Sequence, residues 1–364
     1  MKYWSPIDPH VHLRWDEYAD QKFLQWGLAD AHDVGLAAVM EMGNTTPQIT
    51  DEETLEDRCD AVDRALGVFT HGPLGRVAHY VHPGLTDRVL PTTALFQMLA
   101  RGHTRARAAK LYTCHSTGRM GLTERRARQN VWHIAAEVGY TGPVVVHAED
   151  HEAFGPDPFR PEDPPSHSRH QNAEAELAGV VETLADAMAA GFAGTVVLAH
   201  TSGANTVDQA RWWVGHWKPP FKVAFEVTWH HLFLNADDDY PVHGNRVKMN
   251  PPLRSRANQE MLLGQLLEAP ADFFVGTDHA PHPLAAKDRL DPHPASGIPA
   301  IPFWPKGIKL LRDRGLDEDA LRHVTFGHAN AVFGLGLEGF EVETTYKISA
   351  WERYGWNSFS RLGA

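Results

Sequence analysis

Eight short runs rich in apolar and β-branched residues recur along this chain, each closed by turn residues. They lie at 5–13, 35–43, 76–84, 107–113, 142–150, 194–202, 221–229 and 272–280. Helical patterns fill the intervals. The stretch from Asn172 to Ala190 carries Leu177, Val180, Val181, Leu184 and Met188 on one stripe. "TDEE" after Thr50 reads as a capping box with Glu53 reaching back, and "TERRARQNVWHIAAEVG" and "RANQEMLLGQLLEA" read as two further helices. Strand and helix alternating eight times predicts a parallel sheet closed into a (β/α)8 TIM barrel. An open doubly wound sheet alternates in the same way, but no G-x-G-x-x-G follows the first strand.

A chain of 364 residues fits a single barrel domain. The expected division is a barrel over 1–335 and a tail over 336–364, the tail read as an edge strand or an extended packing segment. Pro-rich 155–170 and 235–255 read as long loops after the fifth and seventh strands, where a barrel keeps its chemistry. The formal net charge of -12 argues against a nucleic-acid partner, which wants a basic surface. Two cysteines, Cys59 and Cys114, exclude a disulfide framework and fit a reducing cytoplasm. The opening "MKYWSPIDPH" has no apolar signal core and no run approaches membrane-spanning length, so no membrane partner is expected. The expected partner is a small-molecule substrate, with a homodimer as the assembly to test.

The 23 histidines direct attention to metal binding. His10, His12 and Arg14 in "DPHVHLR" stand two apart and share one side of a strand. His147 ends the fifth run, His200 the sixth and Asp278 the eighth, each directly after apolar residues. Singly, such histidines read as structural. Together, four imidazoles and a carboxylate at strand ends suit zinc or a similar divalent ion, and they exceed what one tetrahedral ion needs. Lys110 stands at the same level of the fourth run. An ammonium has donors only, so it binds no cation unless its amine takes up CO2 as an anionic, bridging carbamate.

The stretches "DPHVHLR", "KLYT", "VVVHAE", "EVTWHHLFL", "KMNPPLRS", "GTDHAPH" and "SGIPAIP" resemble the amidohydrolase superfamily and, within it, the dihydroorotases, from about Pro6 to Leu335. The resemblance implies two Zn2+ per chain. His10, His12 and Asp278 would hold one, His147 and His200 the other, with carboxylated Lys110 and a hydroxide between them. It also implies reversible hydrolysis of L-dihydroorotate to N-carbamoyl-L-aspartate, with Asp278 carrying the proton. Arg14 is permanently cationic and needs an anion, which the substrate carboxylate supplies. By the same resemblance Asn44 and His282 complete the carboxylate pocket, although Asn44 also reads as a turn residue and His282 as a surface loop residue. Ser116 and Thr117 are candidates for a mobile lid. His230 and His231 read as pocket wall or the layer behind it, and Cys114 as no catalytic thiol. The first barrel strand begins so early that the β-rich outer domain of many members is expected to be absent or reduced to the tail. "HLRWDEYAD" also replaces the Glu-Pro-Gly turn often seen after the arginine. A hydantoinase or allantoinase is the alternative enzyme, and a catalytically silent scaffold the alternative from another class.

Overall fold

The computed structural model describes residues 1–14, 22–67, 77–115, 119–291, 293–343 and 348–363. Eight parallel strands form its centre: β2 (Ile7–Val11), β3 (Ala38–Met42), β4 (Ala78–His82), β5 (Ala109–Tyr112), β6 (Pro143–His147), β7 (Thr195–Leu198), β8 (Lys222–Thr228) and β9 (Phe273–Gly276). β2–β3–β4 pair in one run and β5 to β9 in another. Parallel bridges Val81↔Ala106 and Gly84↔Lys110 join the runs, and Val11↔His279 closes the ring. The architecture is therefore the expected (β/α)8 barrel.

Alternation sorts the side chains into two cores. Ile7, Met40, Met42, Val145, Val197 and Phe274 fill the lumen, where Phe326, Phe333 and Leu335 join them from beyond β9. Val39, Val81, Leu111, Val146 and Leu198 point outward against Leu55, Val131, Trp132, Val180 and Leu184 of the helices.

β2 departs from simple alternation. Its register with β3 slips between Asp8 and Val11, so one extra residue is accommodated around Pro9. A bulge tolerates proline, which has no N–H for the ladder. Ile7 faces the lumen, whereas Val11 and Leu13 belong to the outer core. Uninterrupted alternation from Ile7 would send His10 and His12 outward; the bulge returns them to the lumen.

The helix Glu52–Leu66 begins with a capping box, but one residue later than expected. Asp51 is the cap, and Thr54 answers it: Thr54 N donates to Asp51 Oδ1 at 2.9 Å and Asp51 N to Thr54 Oγ1 at 3.4 Å. Asp is an equally good cap and Thr54 sits in register for it, so Glu53 is not used. The helices Arg125–Val138, Ala173–Ala189 and Arg256–Glu268 lie where the patterns put them. Val181, expected on the buried stripe, is 37% exposed, because the apolar arc of its helix is wider than the face that meets the barrel. The two expected loops carry short helices, Ser166–His170 and Ala236–His243. Among the described residues, no helix is long and apolar enough to cross a membrane.

The strand β10 (Glu341–Glu343) pairs antiparallel with β1 (Lys2–Trp4). Farther on, Tyr354 Oη donates to Asp30, and Phe359 stacks on Phe303 with centroids 3.9 Å apart. Phe359 is fully buried. Phe359→Ala should therefore cost about 3–5 kcal/mol, read as a lowered midpoint in urea unfolding; an unchanged midpoint would show that this packing contributes nothing.

Candidate metal centre and substrate pocket

The candidate side chains come from the carboxyl ends of five strands. His10 and His12 leave the β2 bulge, Lys110 lies in β5, and His147 ends β6. His200 and Asp278 each stand two residues beyond β7 and β9. Arg14, His200 and Asp278 have left-handed backbones, with φ of 58°, 35° and 46°. Such conformations disfavour side-chain-bearing residues and cluster at functional sites.

Two groups of potential ligand atoms result. Asp278 Oδ1 lies 3.0 Å from His12 Nε2 and 3.5 Å from His10 Nε2. His147 Nδ1 and His200 Nε2 are 2.9 Å apart. The groups adjoin, since the His10 and His200 rings are 5.2 Å apart. Two nitrogens on one tetrahedral zinc stand about 3.3 Å apart, given zinc–nitrogen bonds near 2.05 Å. Both sets therefore fit a divalent ion with shifts of a few tenths of an ångström.

Protonation states favour the same reading. Burial and nearby positive groups hold His200 well below its ordinary value; burial also lowers His10, despite the opposing pull of Asp278. Neutral imidazoles are the ligating form. Burial alone would raise the Asp278 carboxyl, but His10, His12 and Lys110 outweigh it and hold it at about 2. Lys110 is fully buried, and its Nζ has no hydrogen-bond partner among the described residues. Burial lowers its amine to about 8, against the pull of Glu226 and Asp278.

Two carboxylates set the orientation of the rings. Glu226 in β8 holds His10 Nδ1 at 2.9 and 3.0 Å, which leaves Nε2 to face Asp278. A Cβ on Gly276 would meet Glu226 Oε1 at 2.7 Å, so glycine makes room for that contact. Glu149 takes His147 Nε2 at 2.8 Å and leaves Nδ1 to face His200. Cys114 lies beside His147 and Glu149, but burial pushes its thiol well up, so it carries no thiolate.

One cavity is lined by His10, His12, His147, His200 and Asp278 together with Arg14, Asn44 and Tyr112. Asn250, Ser296 and Gly297 complete its rim. His282 is not among its lining residues. Its Nε2 donates to the carbonyl of the rim residue Ser296 at 2.7 Å and lies 2.6 Å from Arg14 Nη2. His230 and His231 are buried outside the lining as well; His231 reaches Thr228 Oγ1 and Pro251 O. Ser116 and Thr117 lie outside the described residues.

Sequence reasoning passed over Glu226, Glu149, Glu41 and Tyr112. The available signal was a carboxylate inside an apolar strand, as in "KVAFEVT" and "AVMEM". Glu41 shows what such a group does. Arg58 Nε and Nη2 donate to its two oxygens at 2.8 and 2.6 Å, and His79 Nε2 lies 3.1 Å away. Arg58 Nη2 also donates to the Arg14 carbonyl at 2.9 Å. A buried ion pair thus braces the left-handed backbone of Arg14.

No family model matches the chain. A dihydroorotase of Halobacterium salinarum is 30% identical over 337 residues, covering 92% of this chain and 72% of that protein. Among solved structures, the dihydroorotase of Saccharomyces cerevisiae in complex with 5-fluoroorotic acid superposes with a TM-score of 0.70 at 18% identity, covering 92% of this chain and 85% of that one. An L-hydantoinase of Arthrobacter aurescens gives 0.72 at 18%, covering 92% and 72%. The fold is that of the amidohydrolase barrels, and the chain is a hydrolase of cyclic amides. Within that class, the extent of its likeness to the Halobacterium protein shows that it belongs to the dihydroorotase family.

Burial would raise the Glu41 carboxyl, yet Arg58 and His79 hold it at about 2, below its ordinary 4.5. Between those values the unfolded chain binds the proton that the folded one does not, so this stability is complete above pH 4.5 and is lost as pH falls through about 2. Arg58→Met leaves a buried carboxylate without its main partner. It should cost about 3–5 kcal/mol in urea unfolding at pH 7, and the variant should lose this acid-side component.

Proposed function

We propose that this chain catalyses the reversible hydrolysis of L-dihydroorotate to N-carbamoyl-L-aspartate, a step of pyrimidine biosynthesis, at the cavity between β2 and β9. The observation that carries the reading is one cavity shared by a metal-ligand set and the fixed cation Arg14. A hydantoin or allantoin offers that cation no carboxylate. The compartment that fits is the cytoplasm, since Cys59 and Cys114 are both unpaired thiols. Residues 1–335 make the catalytic barrel in this reading, and 336–364 a segment packed on it.

His10, His12 and Asp278 would hold one Zn2+ and His147 and His200 a second, with Lys110 as a carbamate formed from CO2 between them. The lowered amine of Lys110 supports this, because only neutral amine takes up CO2. Both His10 and His200 feel its charge, so it stands close to both ligand groups. The bound cations would supply an acidified water and polarise the scissile carbonyl.

The chain's own residues do the rest. Arg14, anchored by Nε to Pro281 O at 3.0 Å, presents its guanidinium to the substrate carboxylate. Asn44 lines the same cavity and would be a further polar partner. Asp278 is ionised at neutral pH, with Oδ1 turned to His10 and His12. Its carboxylate accepts the proton of the attacking water and hands it to the leaving ring nitrogen, and does the reverse in ring closure.

Side-by-side assays with dihydroorotate, a hydantoin and allantoin should show turnover of dihydroorotate above the others; preference for a substrate without a carboxylate would overturn the reading. Arg14→Met should raise KM for dihydroorotate about 10- to 100-fold, as expected for a charge-assisted contact of about 1.5–3 kcal/mol, with bound zinc unchanged. Lys110→Ala should lose most activity and part of its metal by elemental analysis, whereas full activity would exclude the bridging carbamate.

A further inference from the structure

Tyr112 lines the cavity and has no part in the reaction described so far. It follows Lys110 by two residues in β5 and so points into the lumen with it. Its register partner is His147, with ring centroids 6.1 Å apart. Lys110 Nζ stands 4.9 Å from the centre of the Tyr112 ring. Tyr112 lines the same cavity as Arg14 and Asp278 and is 3% exposed.

Its hydroxyl has no hydrogen-bond partner among the described residues. Four other buried tyrosines are satisfied. Tyr3 donates to Val34 O at 2.7 Å, Tyr140 to Pro143 O at 2.9 Å and Tyr354 to Asp30, while Tyr240 accepts from Ser168. A buried hydroxyl left unpaired costs about 1–3 kcal/mol, so phenylalanine would pack here at lower cost. The residue lines the cavity, with Lys110 and His147 beside its ring. The hydroxyl is thus a donor that the fold itself does not use.

We infer that Tyr112 Oη donates a hydrogen bond to the reacting carbonyl oxygen of the cyclic amide as that oxygen becomes an oxyanion. The inference rests on the proposed hydrolysis of dihydroorotate and adds a catalytic residue to it. No proton is transferred; the phenol, ordinarily neutral below about pH 10, keeps its hydrogen throughout. A donor whose bond strengthens as charge develops lowers the barrier more than it aids binding.

Tyr112→Phe in the metal-loaded enzyme tests this, because it removes one atom and preserves the ring. The expected result is a fall in kcat of about 100-fold with KM within about twofold, the range for losing one oxyanion donor. Metal content should be unchanged, and the unfolding midpoint unchanged or raised, since the hydroxyl has no partner in the fold. A kcat within twofold of wild type would overturn the inference, as would a rise in KM alone, a loss of metal or a lowered midpoint. Wild-type protein that fails to hydrolyse dihydroorotate sinks the proposed function itself, whereas an active wild type matched by Tyr112→Phe sinks only the role of Tyr112.

Discussion

The site depends on how the first barrel strand meets the last. Asp8, at the start of the bulge, faces away from the lumen and is fully buried. Its carboxylate accepts from Thr277 N at 3.0 Å, Thr277 Oγ1 at 2.6 Å and Trp304 Nε1 at 3.1 Å. His12 N donates to His279 O at 2.7 Å across the same seam. These bonds fix β2 against the end of β9, and with it the positions of His10 and His12 against Asp278. Burial pushes the Asp8 carboxyl up to about 7 even against those donors. A buried polar knot of this kind is costly unless fully satisfied, and when satisfied it specifies a single register.

Around the cavity the polar groups are arranged in depth. Glu226, Glu149 and Glu41 are each fully buried. None lines the cavity, but each holds a group that does: His10, His147 and, through Arg58, the backbone of Arg14. Imidazole rings oriented from behind present a defined nitrogen to the cavity, so the order needed for metal binding is largely built in beforehand.

The barrel was legible because strand and helix differ in period and because its inner and outer faces are both apolar. The convergence of His10, His12, His147, His200 and Asp278 was legible for the same reason: polar residues directly after apolar runs stand at the mouth. What stayed hidden depends on contacts distant in sequence. The bulge around Pro9 shows only in the pairing of β2 with β3; alternation counted from His10 reaches the right face, whereas alternation counted from Ile7 does not. Glu226 and Glu41 read as interruptions in apolar strands, since their partners His10 and Arg58 are 216 and 17 residues away. His282 stands beside Arg14 and the rim residue Ser296, contacts that "DHAPH" does not reveal. The cap at Asp51 differs from expectation by one residue, which lies within the ambiguity of any helix end.

Arg14, His200 and Asp278 hold their side chains on backbone that glycine would adopt without strain. Each is thus a place where folding and chemistry ask for different residues. A duplicate of this chain released from its reaction would gain robustness by exchanging any of the three for glycine, and the cavity would lose a guanidinium, an imidazole or a carboxylate. The three dihedral angles therefore record, in the backbone itself, what retaining the activity costs the native state.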